Sequence, residues 1–279
     1  MRKPLEPFAI GSPRNPRYKN WLKLLDGRGI KKQEQAILAG RRFIEEILEQ
    51  FPERALALLA PVSARPPFPK GLEALAERLP PRAAVYALPP ELFASLDIYG
   101  IKEPLLLVSA PAPPDWNREL EDGLTVFLPF QNPINLGTCI RSAAAFGARV
   151  VLLEEAATPY LPKCLRASGP SIFQAPPSRG PSLRELAELA AGKNLPLYGL
   201  SPRGGNIYKT AFPRRLGLVA GLEGPGLDDC WPAERRLSIP MQGRVESLNA
   251  AVSMSIGMAL YCAAHSIYGP ALCSTRGLK

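Results

Sequence analysis

The sequence predicts an α/β fold in two units, the larger one built on a mostly parallel sheet with helices on both faces. Short apolar runs alternate with segments of helical period along most of the chain, as strand–helix–strand units do. The run Pro111-Ala112-Pro113-Pro114-Asp115 breaks helix and strand alike and divides the alternation into a shorter and a longer stretch. Apolar residues make up 46% of the 279, enough for a packed core, and the 23 glycines and 32 prolines are scattered as loop punctuation.

Residues 1–24 read as a basic N-terminal arm. The first 45 residues carry eleven Lys/Arg (Arg2, Lys3, Arg14, Arg17, Lys19, Lys23, Arg28, Lys31, Lys32, Arg41 and Arg42) against four acids, most of the net charge of +9. Such a stretch is either a solvated tail and helix face or an electrostatic arm for nucleic acid, where each neutralised phosphate adds salt-sensitive affinity. Residues 25–110 form the shorter unit. Its expected strands are Ala36–Ala39, Leu56–Ala60, Ala83–Leu88 and Leu105–Ser109, with helices at Arg41–Gln50, Gly71–Arg78 and Pro90–Leu96. Residues 111–121 are the linker and 122–279 the larger unit. There Thr125–Leu128 and Arg149–Leu153 read as strands flanking a helix at Leu136–Phe146. Leu183–Ala191, Leu197–Leu200, Leu216–Ala220 and Leu237–Ile239 continue the pattern, and Ser247–Ala264 is a last long helix.

Several chemistries are disfavoured at once. Five cysteines without a CxxC pair and a single histidine, His265, leave no zinc-ligand spacing and little scope for a histidine triad. The start, Met1-Arg2-Lys3-Pro4-Leu5-Glu6-Pro7, lacks the apolar core of a signal peptide, and the best membrane candidate, Ala250–Ala264, is too short and carries Ser253 and Ser255. A cytoplasmic protein with reduced thiols, no metal and no membrane partner is expected. His265, Trp21, Trp116 and Trp231 read as packing residues.

In parallel sheets ligands sit off the carboxyl ends of the strands, so the loops after Leu128, Ala220 and Ile239 are the places for chemistry. The first, Asn132 to Arg141, offers Asn135 as a helix N-cap and Gly147 as the residue that ends the helix. Gly137 and Arg141 lie four apart on one helical stripe. A first-turn glycine suits a close approach to the backbone, and an arginine one turn later suits an anion such as a phosphate. An ordinary capped helix with a surface arginine shows the same pattern. The second loop, Gly221-Leu222-Glu223-Gly224-Pro225-Gly226, sets three glycines and a proline about one carboxylate, as a backbone moulded round a planar ligand would, or a plain glycine turn. It is not GxGxxG, and neither a nicotinamide nor an ATP fingerprint occurs. The third runs from Ile239-Pro240-Met241 to Ser247-Leu248-Asn249, with Ser247 placed to cap the long helix.

Asn135-x-Gly137-x-x-x-Arg141, Gly221-x-Glu223-x-x-Gly226, and Ile239-Pro240-Met241 with Ser247-Leu248-Asn249 together resemble, in order, the three signature motifs of the SpoU/TrmH family. These are RNA ribose 2′-O-methyltransferases of the SPOUT superfamily. The likeness spans roughly residues 122 to 270, and Arg166-Ala167-Ser168-Gly169 looks like a further family element. Residues 25–110, with Ala39-Gly40-Arg41-Arg42, are similar to the L30e-like substrate-binding domain of rRNA-directed members. Two positions depart from the family pattern: Asn132-Pro133 stands for Asp-Pro, and Ala39 for the glutamate often found before Gly40.

The resemblance implies a deep trefoil knot at the C-terminal end, S-adenosyl-L-methionine held in it in a bent form, and a homodimer. It implies Arg141 as the catalytic arginine, supported by Asn135, Glu223 and Ser247. It implies a cofactor pocket of Gly221, Leu222, Ile239, Met241, Leu248 and Asn249, and RNA contacts from Arg28, Lys31, Lys32, Arg41, Arg42 and Arg141. Arginine stays protonated at ordinary pH, so Arg141 has two readings: a perturbed base, or a grip on phosphate that orients the ribose. The expected substrate is ribosomal RNA with unpaired nucleotides. The alternatives are transfer RNA, another methyl acceptor such as a base nitrogen or a protein, and a non-catalytic RNA-binding protein that keeps the knot.

Overall fold

A computed structural model describes residues 6–62, 70–192, 195–227, 231–242 and 247–267. Arg2 and Lys3 of the expected arm, Cys230 and Cys273, and Gly243 to Glu246 of the third loop lie outside these residues.

The N-terminal half runs β1 (Phe8–Ala9), α1 (Pro16–Lys23), α2 (Gly27–Gln33), β2 (Gln35–Ala39), α3 (Arg41–Gln50), β3 (Ala55–Ala60), α4 (Lys70–Glu77), β4 (Ala84–Ala87), α5 (Pro90–Ala94) and β5 (Leu105–Ser109). The five strands form one sheet in the order β1-β4-β3-β5-β2. Strands β1, β4 and β3 are parallel, whereas β5 runs antiparallel to both β3 and β2. This sheet is therefore mixed. An apolar run reports that a strand is buried, not which way it points.

The described part of the 1–24 segment is folded rather than a free arm. Asn15 caps α1 by accepting from the Arg17 N–H, Pro16 takes the first helical position, and Tyr18, Trp21 and Leu24 are buried against Ile37, Leu59 and Leu105. Trp21 meets the Tyr86 ring edge-on at 5.0 Å. The charge-rich reading missed this because the apolar residues of α1 occupy one narrow stripe among basic ones.

The C-terminal half runs β6 (Gly123–Leu128), α6 (Pro133–Phe146), β7 (Arg149–Leu152), α7 (Pro162–Ser168), α8 (Ser171–Gln174), β8 (Ser178–Arg179), α9 (Leu183–Gly192), β9 (Leu197–Asn206), β10 (Arg215–Val219), β11 (Arg236–Ser238) and α10 (Ala250–Ala264). Its six strands, ordered β11-β9-β10-β6-β7-β8, are parallel throughout. Side chains alternate across the sheet as the pleat requires. From β6, Leu124, Val126 and Leu128 face the core shared with α6 and α10, whereas Phe127 faces the opposite core with Leu186 and Ala190 of α9. The linker lies along β8: the Arg179 N–H donates to the Pro114 carbonyl at 2.7 Å, and its guanidinium pairs with Asp115.

Helix α6 begins one turn earlier than expected. Its cap is Asn132, whose Oδ1 accepts from the Ile134 N–H at 2.8 Å and the Asn135 N–H at 3.4 Å, with Pro133 at the first position. Gly147 ends it in the left-handed region, as expected. Leu136, Cys139, Ile140 and Ala143 bury the inner stripe. Gly137 faces α7, so the close approach that it permits is that of another helix. A methyl there would collide with the Cys164 carbonyl and lie 2.8 Å from the Ala167 side chain. Helix α10 is capped by Asn249 rather than Ser247, so it starts at Ala250. Among the described residues no helix is long and apolar enough to cross a membrane, and no cluster of His, Cys, Asp or Glu could hold a metal.

This packing makes Gly137→Ala an overpacking change. It should lower unfolding stability by about 1–3 kcal/mol, read as a shift in the denaturant midpoint; an unmoved midpoint would contradict the α6–α7 contact.

Candidate functional site

The register Val219↔Phe127 sets the carboxyl ends of β10 and β6 side by side at the centre of the sheet, so the loops that follow them are neighbours. The 221–227 loop closes on itself: the Leu222 N–H donates to the Gly226 carbonyl at 2.8 Å, and the Gly226 N–H returns to Leu222 at 2.9 Å. Gly224 and Gly226 take positive φ of 93° and 79° inside this turn. The glycine content is thus accounted for by a turn that aims Glu223 at α6.

A chain of hydrogen bonds ties the three loops together. The free N–H groups of Ala251 and Val252 at the start of α10 donate to Asn249 Oδ1, at 2.9 and 3.2 Å. That leaves Asn249 Nδ2 as a donor, and it reaches Asn135 Oδ1 at 3.0 Å. Asn135 Nδ2 then donates to Glu223 Oε1 at 2.5 Å, while Glu223 Oε2 accepts from the Asn132 N–H at 3.0 Å. The amide orientations follow from the helix end, because only one assignment lets each donor meet an acceptor. Asn135, expected as a cap, instead links the α10 cap to the carboxylate.

Beside this chain opens a cleft of about 430 Å³, within the range of small-molecule sites. Leu222, Leu237, Ile239 and Met254 give it apolar walls; Met241 and Leu248 stand half-exposed at its rim. Of the expected site residues, Asn135, Gly221, Leu222, Glu223, Ile239, Met241, Ser247 and Leu248 line it. Asn249 does not line it but holds its edge. Arg141 does not line it either: it is exposed on α6 with no ion pair or hydrogen bond to the described residues. A wall from the middle of β9, Leu200-Ser201-Pro202-Arg203, was not expected. The apolar run reads as a strand only to Leu200, whereas β9 continues past Pro202 to Asn206. Asn132 was legible, since asparagine before proline is the signature of a cap followed by a first-turn proline.

The N-terminal basic residues divide into two groups. Arg28, Lys31 and Lys32 on α2 are exposed without a carboxylate partner among the described residues, whereas Arg41 and Arg42 on α3 pair with Glu45 and Glu46 at 3.0 and 2.9 Å. The three cysteines among the described residues are buried and poorly suited to thiolate chemistry. Burial pushes the thiols of Cys139, Cys164 and Cys262 up, away from the reactive thiolate.

A fully parallel α/β sheet with a ligand-sized cleft at its central carboxyl edge defines a small-molecule-binding domain of the kind that carries catalysis at strand ends. Residues 124–259 match the SpoU rRNA Methylase family, so the C-terminal half carries a domain of that family. Ribosomal RNA small subunit methyltransferase G 2 of Syntrophobacter fumaroxidans is 42% identical over 252 residues, 89% of this chain and 48% of that protein, so the chain spans about half of its length. The 23S rRNA (guanosine(2553)-2′-O)-methyltransferase RlmP of Bacillus subtilis is 27% identical over 88% of this chain and 96% of its own. The SpoU methyltransferase AviRb of Streptomyces viridochromogenes, solved with AdoMet, superposes with a TM-score of 0.75 at 28% identity, covering 91% of this chain and 99% of that one.

The two tasks of Asn249 can be separated by substitution. Asn249→Ala should cost about 1–2 kcal/mol of stability, and Asn249→Ser should recover about half, since a serine can cap α10 but cannot reach Asn135. Chemical denaturation reads both, and equal stability of the two variants and the parent would contradict the linkage.

Proposed function

We propose that this chain is an S-adenosylmethionine-dependent methyltransferase acting on a ribose 2′-hydroxyl of ribosomal RNA in the cytoplasm. The observation that carries the reading is the cleft itself, walled by three loops that one hydrogen-bond chain holds together in the SpoU domain. Relatives that span most of the chain, such as RlmP, are named for 2′-O methylation of rRNA, which favours that acceptor over tRNA.

The residues present fit S-adenosylmethionine: apolar walls suit a purine, and a single carboxylate, Glu223, faces the same space as counter-charge to a sulfonium. Gly221, Leu222, Ile239, Met241 and Leu248 would hold it, with Asn249 fixing the cleft edge. When bound, that group supplies an electrophilic methyl carbon to an oxygen nucleophile. Glu223 already accepts one hydrogen bond on each oxygen, so its part is to fix α6 and the β10 loop. Arg141, without a partner among the described residues, grips a phosphate beside the target nucleotide and orients the ribose. Ser247 at the cleft wall is placed to hydrogen-bond the reacting end. Residues 25–110 serve as the RNA-binding domain of L30e-like fold, and unpaired Arg28, Lys31 and Lys32 contribute more phosphate affinity than paired Arg41 and Arg42.

The homodimer of this reading is supported by an apolar patch at the paired starts of α6 and α10. Ile134 is 53% exposed, Val252 46% and Leu248 36%. Val252→Lys should shift the sedimentation coefficient from dimer to monomer; a parent that sediments as a monomer would contradict the patch's role.

Incubation with methyl-labelled S-adenosylmethionine and unmodified rRNA or tRNA, followed by alkaline hydrolysis, tests the activity. Label in rRNA recovered as an alkali-resistant dinucleotide is the expected result. Label in tRNA alone would overturn the substrate, alkali-labile label would overturn the ribose, and no label with intact cofactor binding would leave a non-catalytic RNA-binding protein. In the same assay Arg141→Ala should lose ~10²-fold in kcat/KM, with cofactor affinity unchanged because Arg141 lies off the cleft. Arg141→Lys retaining most activity would show that charge alone suffices there.

A further inference from the structure

The Arg166-Ala167-Ser168-Gly169 segment has no part in the cleft, yet its surroundings are specific. Arg166 projects from α7 into the N-terminal half. Its Nη1 donates to the Ala39 carbonyl at the end of β2 at 3.3 Å. Its guanidinium carbon lies 5.7 Å from the Phe43 ring centroid and 5.6 Å from that of Tyr99, so two aromatic rings of the N-terminal half flank one cation of the C-terminal half. Space is tight on both sides. A methyl at Gly40 would strike Arg166 Nη1, and one at Gly169 would come within 3.0 Å of Phe43 Cε1. The Tyr99 hydroxyl is buried and has no hydrogen-bond partner among the described residues, a cost accepted while its ring lies against Arg166.

The other side of α7 meets α6. Gly137 packs against the Cys164 carbonyl and Ala167, and Arg141 stands one turn further along the same stripe of α6. One short helix therefore touches β2, the strand that follows α2 with its basic residues, and the helix carrying Arg141. Its remaining contacts are apolar: Cys164 and Leu165 share a continuous core with Ala36, Leu38 and Ile44 of the N-terminal half.

We propose that Arg166 is a positioning residue. Clamped between Phe43 and Tyr99 on the Ala39 carbonyl, it fixes α7, and through the Gly137 contact α6, against the N-terminal sheet. Arg141 and the basic face of α2 are thereby held at a set spacing on one RNA strand. The clamp stands on contacts alone, whereas the RNA consequence rests on the methyltransferase reading above. A lysine keeps the charge but offers no planar group to lie against two rings and the carbonyl together.

Two variants reach the clamp from opposite sides, Arg166→Ala from α7 and Phe43→Leu from α3, and Arg166→Lys tests charge alone. In the full-length chain, amide hydrogen exchange of α7 and of residues 134–141 of α6 should accelerate in all three, while the 221–227 loop exchanges as in the parent. The kcat/KM for RNA should fall tenfold or more, and the affinity for S-adenosylmethionine should stay within twofold. Parent-like exchange and activity in Arg166→Lys would overturn the clamp in favour of simple charge. Unchanged exchange in α6 in both other variants would overturn the coupling. If Arg166→Ala does not fold, Phe43→Leu decides by the same two criteria. A parent that methylates no RNA would sink the activity reading, while the exchange measurements would still decide the clamp.

Discussion

A carboxylate from a loop, an asparagine from the first turn of α6 and the asparagine that caps α10 are joined by hydrogen bonds whose direction is dictated by the start of a helix. The unpaired N–H groups of Ala251 and Val252 require an acceptor, which commits the oxygen of Asn249 and leaves its nitrogen to donate to Asn135. Asn135 must then donate in its turn, and only an acceptor such as Glu223 can end the chain. A glutamine at 223 could satisfy Asn135 but would turn its own N–H₂ toward the Asn132 N–H, a pair of donors with nothing between them. The cleft exists because these segments, more than a hundred residues apart at the extremes, are held in one register at the centre of the sheet.

Around that chain the two halves play unequal parts. The C-terminal sheet brings the ends of β6, β10 and β11 and the middle of β9 to the cleft, while α2 in the N-terminal half presents cations that no carboxylate among the described residues neutralises. Arg41 and Arg42, equal to Arg28, Lys31 and Lys32 in a count of charge, are balanced by glutamates one turn along α3. Net charge by region is therefore a poor guide to a phosphate surface; pairing along the helix sorts it.

Much of the fold was legible. Helix Arg41–Gln50 and strand Leu105–Ser109 lie where their apolar patterns put them, because a buried stripe or run is a local property. Strand direction was not legible, since β5 reads like β3 and β2, to both of which it runs antiparallel. Helix α7 and strand β8 were missed because seven and two residues are too few to show a period. In the site, eight of the expected residues meet at the cleft, but the caps were misassigned. Asn132, Asn135, Ser247 and Asn249 are all good caps by type, and only the geometry of the helix ends chooses among them. Arg141 takes its catalytic role from likeness to a family, and it is not among the residues that line the cleft.

If the linked loops make the cofactor site, breaking their link weakens the binding of S-adenosylmethionine. Calorimetric titration with S-adenosylmethionine of the parent and of Asn135→Asp tests it most directly, since that change turns the donor facing Glu223 into a second carboxylate without altering size. The parent should bind, and the variant should bind at least about tenfold more weakly, a difference of about 1.4 kcal/mol. Equal affinity in the two proteins would contradict it.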